Sequence, residues 1–324
     1  MIHVSASPRS KGKVTQLIGA KGLISLRKGI SRGLQGWASE LKFTFKILKR
    51  DRTGLVGLGI IVFFALMAAI GPEVYPLEMM PHPEDRFLPP SLEHPLGTDF
   101  AGRDTLAQII HGSRSVMAVA FLTGLFVVLI SIVLGISSGY IGGKFDMLMM
   151  RIVDVFLTIP SFPLLVIIAA SVNRTLSPVE VALIIAAVEW AGLTRAIRSQ
   201  VLSIREENYI ESARCLGLGA FHIIFNEIFP SLKPYIAMNL CLTIVSAIYS
   251  QVGLYFLGVM PYTSVNWGTM LNIALYRQSG LLNRKVWPYL FSPVICVVLV
   301  QTGFILFLHT LEEIFNPRLR SEEA

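Results

Sequence analysis

The chain is 324 residues long, 53% hydrophobic and only 15% charged, with 28 Lys and Arg against 21 Asp and Glu for a net charge of +7. Soluble domains carry about 25% charged residues, so this composition excludes a disordered chain, and three cysteines do not make a disulfide-stapled secreted domain. An integral membrane protein is the class that fits, and the placement of the basic excess must decide between a lipid surface and nucleic acid.

Residues 1–53 hold twelve of the basic residues, opposed only by Glu40 and Asp51. Trp37, Leu41, Phe45 and Leu48 recur at helical spacing with Lys42, Lys46 and Lys49 between them. That pattern predicts an amphipathic helix on the inner leaflet rather than a nucleic-acid patch, with a plain solvated tail as the alternative. The first apolar run begins only at residue 54, so no cleavable signal peptide is expected.

A helix that crosses a bilayer needs roughly 20 apolar residues. The first candidate lies within residues 54–71. Residues 72–113 then reverse the charge, with Glu73, Glu78, Glu84, Asp85, Glu93, Asp99 and Asp104 against Arg86 and Arg103. Lys and Arg collect on the cytoplasmic side of short loops, which puts the N-terminus inside and this loop outside. Residues 114–312 supply five more spans: 116–140, 155–173, 178–193, 235–258 and 286–310. Pro160 and Pro163 should kink the third, and Glu180 and Glu189 interrupt the fourth. Six spans return the tail, residues 313–324 with Arg318 and Arg320, to the cytoplasm. Residues 195–233, with Arg195, Arg198, Arg205, Arg214 and Lys233, fall inside as well. Arg277, Arg284 and Lys285 run against this topology, in a connection that parity makes external. Cys215, Cys241 and Cys296 are expected to be free thiols. The expectation is an all-α membrane protein of the plasma or inner membrane, with both termini cytoplasmic.

Catalytic constellations are missing. The six His have neither HExxH order nor Cys partners at metal spacing, so no metal is assigned. Gly139 to Lys144 is one residue short of a phosphate loop, and Phe145 stands where Ser or Thr would hold magnesium. A tight turn is predicted there instead, with Gly135 and Gly139 as a small-residue packing face. The chain is read as no enzyme and as binding no cofactor itself.

Residues 195–233 are too long for a turn and too polar to be embedded. They parse as a helix to about Leu216, a glycine break, and a second short helix ending at Pro230. Such a projection fits a groove on a soluble partner. Glu211-Ser212-Ala213, then Gly217, then Ile228-Phe229-Pro230 resembles the EAA…G…I-L-P coupling loop of ABC importer permeases, with Ser212 for the second Ala and Phe229 for Leu. His94-Pro95-Leu96-Gly97-Thr98-Asp99-Phe100-Ala101-Gly102-Arg103-Asp104 is similar to the HPLGTD-x-x-GRD run of the C-type permease subunit in dipeptide and oligopeptide importers. Trp267-Gly268-x-Met270-Leu271 and Asn316-Pro317-Arg318-Leu319-Arg320 add to the likeness, which covers the chain from about Trp37 onward.

The resemblance implies a six-helix, MetI-like type I permease fold and half of a translocation path. A homologous B-type permease subunit would supply the other half. Two cytoplasmic ATPase subunits, holding ATP and Mg, would grip the loop shaped by Glu211, Ser212, Ala213, Gly217, Ile228 and Pro230. A substrate-binding protein would deliver peptides at the outer face. Gly97, Thr98, Asp99, Gly102, Arg103 and Asp104 would either dock that protein or scaffold the outer loop, capping the helix that follows. Relatives within the family that move oligosaccharides or nickel are the nearest alternative. An ion-coupled secondary transporter is the alternative of another class, and it would call for inverted repeats and a buried ion site.

Ionisable groups within a bilayer are costly and usually face an interior or a partner. Arg151 and Asp154 are expected to pair locally. Glu189 is expected to face a lumen or, by preference, to pair with Arg195 or a partner subunit. Asn239, Ser246, Ser250 and Gln251 are candidate lumen residues, with helix–helix hydrogen bonding as the alternative.

Overall fold

The computed structural model describes residues 51–172, 174–261 and 265–315. The amphipathic helix expected near residues 37–48 and the tail carrying Arg318 and Arg320 lie outside the described residues. All the regular elements described are helices.

Helix α1 (Arg52–Val74) forms the first expected span. Helix α2 (Thr105–Ile141) is 37 residues long, about 55 Å at 1.5 Å per residue. It begins well before the span expected at 116–140, because Asp104 caps it and neither His111 nor Arg114 breaks a helix. Gly142 and Gly143, with φ of 69° and 61°, then turn the chain sharply. The tight turn predicted at the end of span two is therefore present.

The third span is a broken pair rather than one kinked helix at 155–173. Helix α3 (Gly143–Thr158) and helix α4 (Ser161–Ala170) meet at 82°. Pro160 has no N–H to continue the ladder and forces the preceding residue out of the helical region. Ile159 accordingly sits at φ −84°, ψ 128°. Helix α5 (Pro178–Arg205) starts with a reciprocal capping box, in which Ser177 Oγ accepts from the Glu180 N–H and Glu180 accepts from the Ser177 N–H.

After α5 come helix α6 (Asn208–Cys215) and helix α7 (Ala220–Ile223), the latter continued by a π-helical turn at Ile224–Ile228 into helix α8 (Phe229–Phe256). The second short helix was expected to end at Pro230, but it runs straight through. The π turn shifts the ladder by one residue, with the Phe229 N–H bonded to the Ile224 carbonyl, and Pro230 then falls in the first turn of α8, where a missing N–H costs little. Helix α9 (Trp267–Asn272) and helix α10 (Trp287–Phe315) complete the described chain.

Four described helical stretches are long and apolar enough to cross a membrane: Arg52–Val74, Thr105–Ile141, Ala220–Phe256 and Arg284–Ile314. The bent α3–α4 pair makes a fifth. Helix α5 is too charged to qualify by composition. Its apolar side packs along α2, and it is the helix that the sequence reading counts as the fourth of six spans.

That packing depends on small residues. A Cβ on Gly135 would come within 2.8 Å of Ile197, and one on Gly139 within 2.8 Å of Val201, so the predicted small-residue face of α2 is where α5 approaches. Ser131 Oγ donates to the Trp190 carbonyl at 3.0 Å across the same seam. Helix α9 wedges between α2 and α8. Its fully buried Trp267 donates Nε1–H to the Ile109 carbonyl at 3.0 Å, and Asn272 donates to the Phe256 carbonyl at 2.6 Å. The three cysteines are free thiols, Cys215 exposed and Cys241 buried.

Candidate functional site

The sequence-derived candidates fall in three places along α2: one at each of its ends and one against its neighbours midway. At its N-terminal end the 97–104 run folds on itself. Asp99 has no exposed surface. Its Oδ1 accepts from the N–H groups of Ala101 at 2.8 Å and Arg103 at 2.9 Å, and its Oδ2 accepts from Arg103 Nε at 2.9 Å and Gln108 Nε2 at 3.0 Å. Tyr289 of α10 donates to Gln108 Oε1 at 3.2 Å, tying the loop to the last helix.

Asp104 is the N-cap of α2, its Oδ1 accepting from the Ala107 N–H at 2.8 Å. Its other oxygen lies 2.8 Å from His94 Nδ1 and 3.4 Å from the Tyr75 hydroxyl. Burial, then the Asp104 charge and hydrogen bond, raise the Tyr75 phenol above its ordinary value. Thr98 Oγ1 donates to the Asp85 carbonyl and accepts from the Leu88 N–H at 2.8 Å. Gly102 has φ of 79°, and a Cβ there would lie 1.9 Å from the His82 carbonyl oxygen, so no other residue fits. Gly97 also has a positive φ. The four polar side chains of this run, Thr98, Asp99, Arg103 and Asp104, are thus all engaged in hydrogen bonds within the loop or with its neighbours. The surface of the loop is made by other residues: Leu92 is fully exposed and Met80 is largely so.

At the other end of α2, the α5–α8 connection projects from the bundle. Arg205 donates to the Gly139 carbonyl at 3.2 Å, and the Arg214 guanidinium sits 5.9 Å from the centre of the Tyr140 ring. Ile210, Ala213, Ile223, Ile228 and Leu232 pack inward against Ile197 and Val201 of α5. Of the six residues expected to shape the loop, Ala213 and Ile228 are therefore anchors, and Pro230 opens α8 half-buried. Glu211, Ser212 and Gly217 are exposed.

Gly217 closes α6. Its N–H bonds to the Arg214 carbonyl at 2.9 Å, and the Leu218 N–H reaches back to Ala213 at 3.2 Å, a Schellman motif with Gly217 at φ 74°. On either side of Gly217 the chain exposes Leu216 at 78%, Phe221 at 81% and Phe225 at 62% of their surface. Glu211 and Arg214, also exposed, precede this apolar set in the sequence.

Midway, Glu189 of α5 borders a cavity of about 550 Å³ between α3, α4, α5 and α8. Ser246 Oγ donates to one of its oxygens at 3.0 Å and Ser250 Oγ to the other at 2.5 Å. Asn239 and Ser250 line the same cavity. Gln251 does not. It is fully buried and donates to the Ser115 carbonyl at 3.3 Å, because it lies on the α2 side of α8. The expected Glu189–Arg195 pair is also absent. Arg195 pairs with Asp154, which in turn replaces the expected Arg151–Asp154 pair, since Asp154 faces α5 across the α3–α5 contact.

Two features escaped the sequence reading. Arg198 clamps Asp146, an acid in the first turn of α3 that follows the Gly142–Gly143 turn. Helix α9 is the other, signalled only by Asn266, whose side chain caps it by accepting from the Gly268 N–H at 2.8 Å.

Known transport proteins resemble the chain in sequence and in fold. Residues 131–321 match the family model described as binding-protein-dependent transport system inner membrane component. Residues 39–90 match that of the N-terminal TM domain of oligopeptide transport permease C. The chain is 31% identical over 274 residues to the dipeptide transport system permease protein DppC of Bacillus subtilis (strain 168), covering 84% of each. It is 33% identical over 278 residues to the DppC of Alkalihalophilus pseudofirmus, covering 86% of this chain and 90% of that one. The oligopeptide transport system permease protein OppC of Mycobacterium tuberculosis (strain ATCC 25618 / H37Rv) is 28% identical over 223 residues, which is 68% of this chain and 77% of that one. In fold, the chain is similar to one in an inward-facing structure of the MetNI methionine ABC transporter, with a TM-score of 0.50 at 19% identity, covering 65% of this chain and 98% of that one.

Proposed function

We propose that this chain, which belongs to the family of binding-protein-dependent transport system inner membrane components, is the C-type permease subunit of an ATP-driven importer of di- and oligopeptides. The observation that carries this reading is the α6–Gly217–α7 projection: an exposed apolar set, Leu216, Phe221 and Phe225, mounted on a core-anchored base at one end of the bundle. Two cytoplasmic ATPase subunits, holding ATP and Mg, each grip such a projection, one on this chain and one on a homologous B-type subunit. Their closure moves the projection, and with it α5 and α8, as a rigid body.

The N-terminus and the projection face the cytoplasm in this scheme, as the twelve basic residues before residue 54 favour. The α1–α2 loop then faces outward. It offers the substrate-binding protein its exposed rim, Met80 and Leu92, while the 97–104 run holds that rim in shape. Peptide cargo follows from the names of the relatives.

The test is uptake of a labelled dipeptide into vesicles that contain the assembled complex and its binding protein, with the proton gradient collapsed and ATP present. Uptake that continues supports the ATP-driven importer. Uptake that needs the gradient and ignores ATP points to an ion-coupled carrier instead.

A further inference from the structure

Helix α8 carries a polar stripe on one face, apart from Gln251, which faces α2. Asn239, Thr243, Ser246 and Ser250 follow one another at intervals of four, three and four residues, which puts them on a single face. That face does not meet lipid alone. It lines the 550 Å³ cavity, opposite Glu189 of α5 and the α3–α4 break at Ile159 and Pro160. A volume of this size lies within the roughly 300–1,000 Å³ of small-molecule sites.

Each Glu189 oxygen accepts a single hydroxyl proton, from Ser246 and Ser250, whereas a carboxylate has about four acceptor positions. Among the described residues no basic side chain pairs with Glu189. Arg195 and Arg198, six and nine residues further along the same helix, are held by Asp154 and Asp146. A charge at this depth is costly unless a cation or water meets it. The unused acceptor positions border a cavity that has room for a ligand.

We propose that this cavity is a cargo subsite of the translocation path, in which Glu189, oriented by Ser246 and Ser250, receives a cationic group of the cargo, an ammonium or a guanidinium. Asn239 and Thr243 extend the same face; they donate to the Tyr235 and Asn239 carbonyls at 2.8 and 2.7 Å, which leaves Asn239 Oδ1 and Thr243 Oγ1 as acceptors for N–H groups of the cargo. The assignment of peptide as the cargo rests on the function proposed above. The presence of a cation subsite does not, and it can be read without transport.

The experiment uses the assembled complex in vesicles, with Cys215, Cys241 and Cys296 replaced by Ser and Thr243→Cys introduced as the reporter. The rates of modification by a trimethylammonium and by a sulfonate methanethiosulfonate are compared. Glu189→Gln should lower the cation-to-anion rate ratio about tenfold, since one unit charge about 6 Å away in a water-like dielectric favours a cation and disfavours an anion by similar amounts. Glu189→Asp should retain the ratio. A ratio unchanged by Glu189→Gln overturns the proposal, as does a thiol that neither reagent reaches. Loss of the second permease subunit from the purified Glu189→Gln complex also overturns it, and assigns the carboxylate to a subunit contact. In the transport arm, Glu189→Gln should reduce uptake of alanyl-lysine relative to alanyl-glutamate. A complex that imports no peptide, yet keeps the Glu189-dependent rate ratio, retains the subsite and rejects the peptide assignment.

Discussion

The Arg198 guanidinium of α5 grips the Asp146 carboxylate of α3 through Nε at 2.7 Å and Nη2 at 2.5 Å, and Ser138 of α2 donates to the same carboxylate at 2.5 Å. Three helices are thereby joined at the end of the bundle from which α6 projects. A planar fork engaging both carboxylate oxygens fixes orientation as well as distance. The pair is partly buried, so neither water nor salt readily substitutes for it. Arg198→Lys keeps the charge and loses the fork. It should lower stability by about 1 kcal/mol, and Arg198→Ala by about 2–3 kcal/mol, because the latter leaves Asp146 uncompensated. Thermal unfolding of the detergent-solubilised complex measures both. Equal melting temperatures for Arg198→Ala and the parent contradict a structural clamp.

Asp99 and Arg103 form a more deeply buried pair, and the consequence of cutting it is asymmetric. Arg103→Gln strands a fully buried carboxylate and should cost about 3–5 kcal/mol. The double variant Asp99→Asn, Arg103→Gln removes the charge along with its partner and should be the more stable of the two. A double-mutant cycle on the melting temperature reads the difference. A double variant no more stable than Arg103→Gln rules out a stranded charge as the cause.

The outer rim makes the opposite prediction. Leu92 is fully exposed and supports nothing beneath it. Leu92→Asp should leave the melting temperature unchanged and weaken binding-protein affinity about tenfold, the size expected for one apolar contact at an interface. An unchanged dissociation constant by calorimetry removes Leu92 from the docking surface.

Gly217 separates conformation from sterics. A Cβ there would meet no atom within 4 Å, so its φ of 74° is the whole reason for glycine. A β-branched residue pays about 1–2 kcal/mol in that region, and Asn less. Gly217→Asn should keep most ATP-driven uptake, whereas Gly217→Val should reach the membrane at normal levels and lose it. Normal uptake by Gly217→Val contradicts the need for a Schellman turn in coupling.

The sequence was most informative where a local rule decides the outcome. The apolar runs give most of the helices, Pro160 marks a bend that was expected as a kink and is a full break, and Gly135 and Gly139 give the α2–α5 seam, because each follows from backbone chemistry or side-chain size. The glycine after Leu216 and the acids flanking Gly102 likewise placed both loops. What stayed hidden depends on which helix faces which. Gln251 and Ser250 are neighbours in sequence, yet one faces α2 and the other the cavity. Asp154 is three residues from Arg151 but meets Arg195, because α5 crosses it there. Asp146 and Arg198 are 52 residues apart, and only the α3–α5 contact makes them partners.

The central claim is that the α6–α7 projection is the surface an ATPase subunit grips. A photo-crosslinking amino acid placed at Phe221, which is 81% exposed, tests this most directly in the assembled complex, with Leu92 on the opposite loop as the control position. Irradiation should yield an adduct between this chain and the ATPase subunit from position 221 and none from position 92. An ATPase adduct from position 92, or none from position 221 in a complex that hydrolyses ATP, would contradict the account.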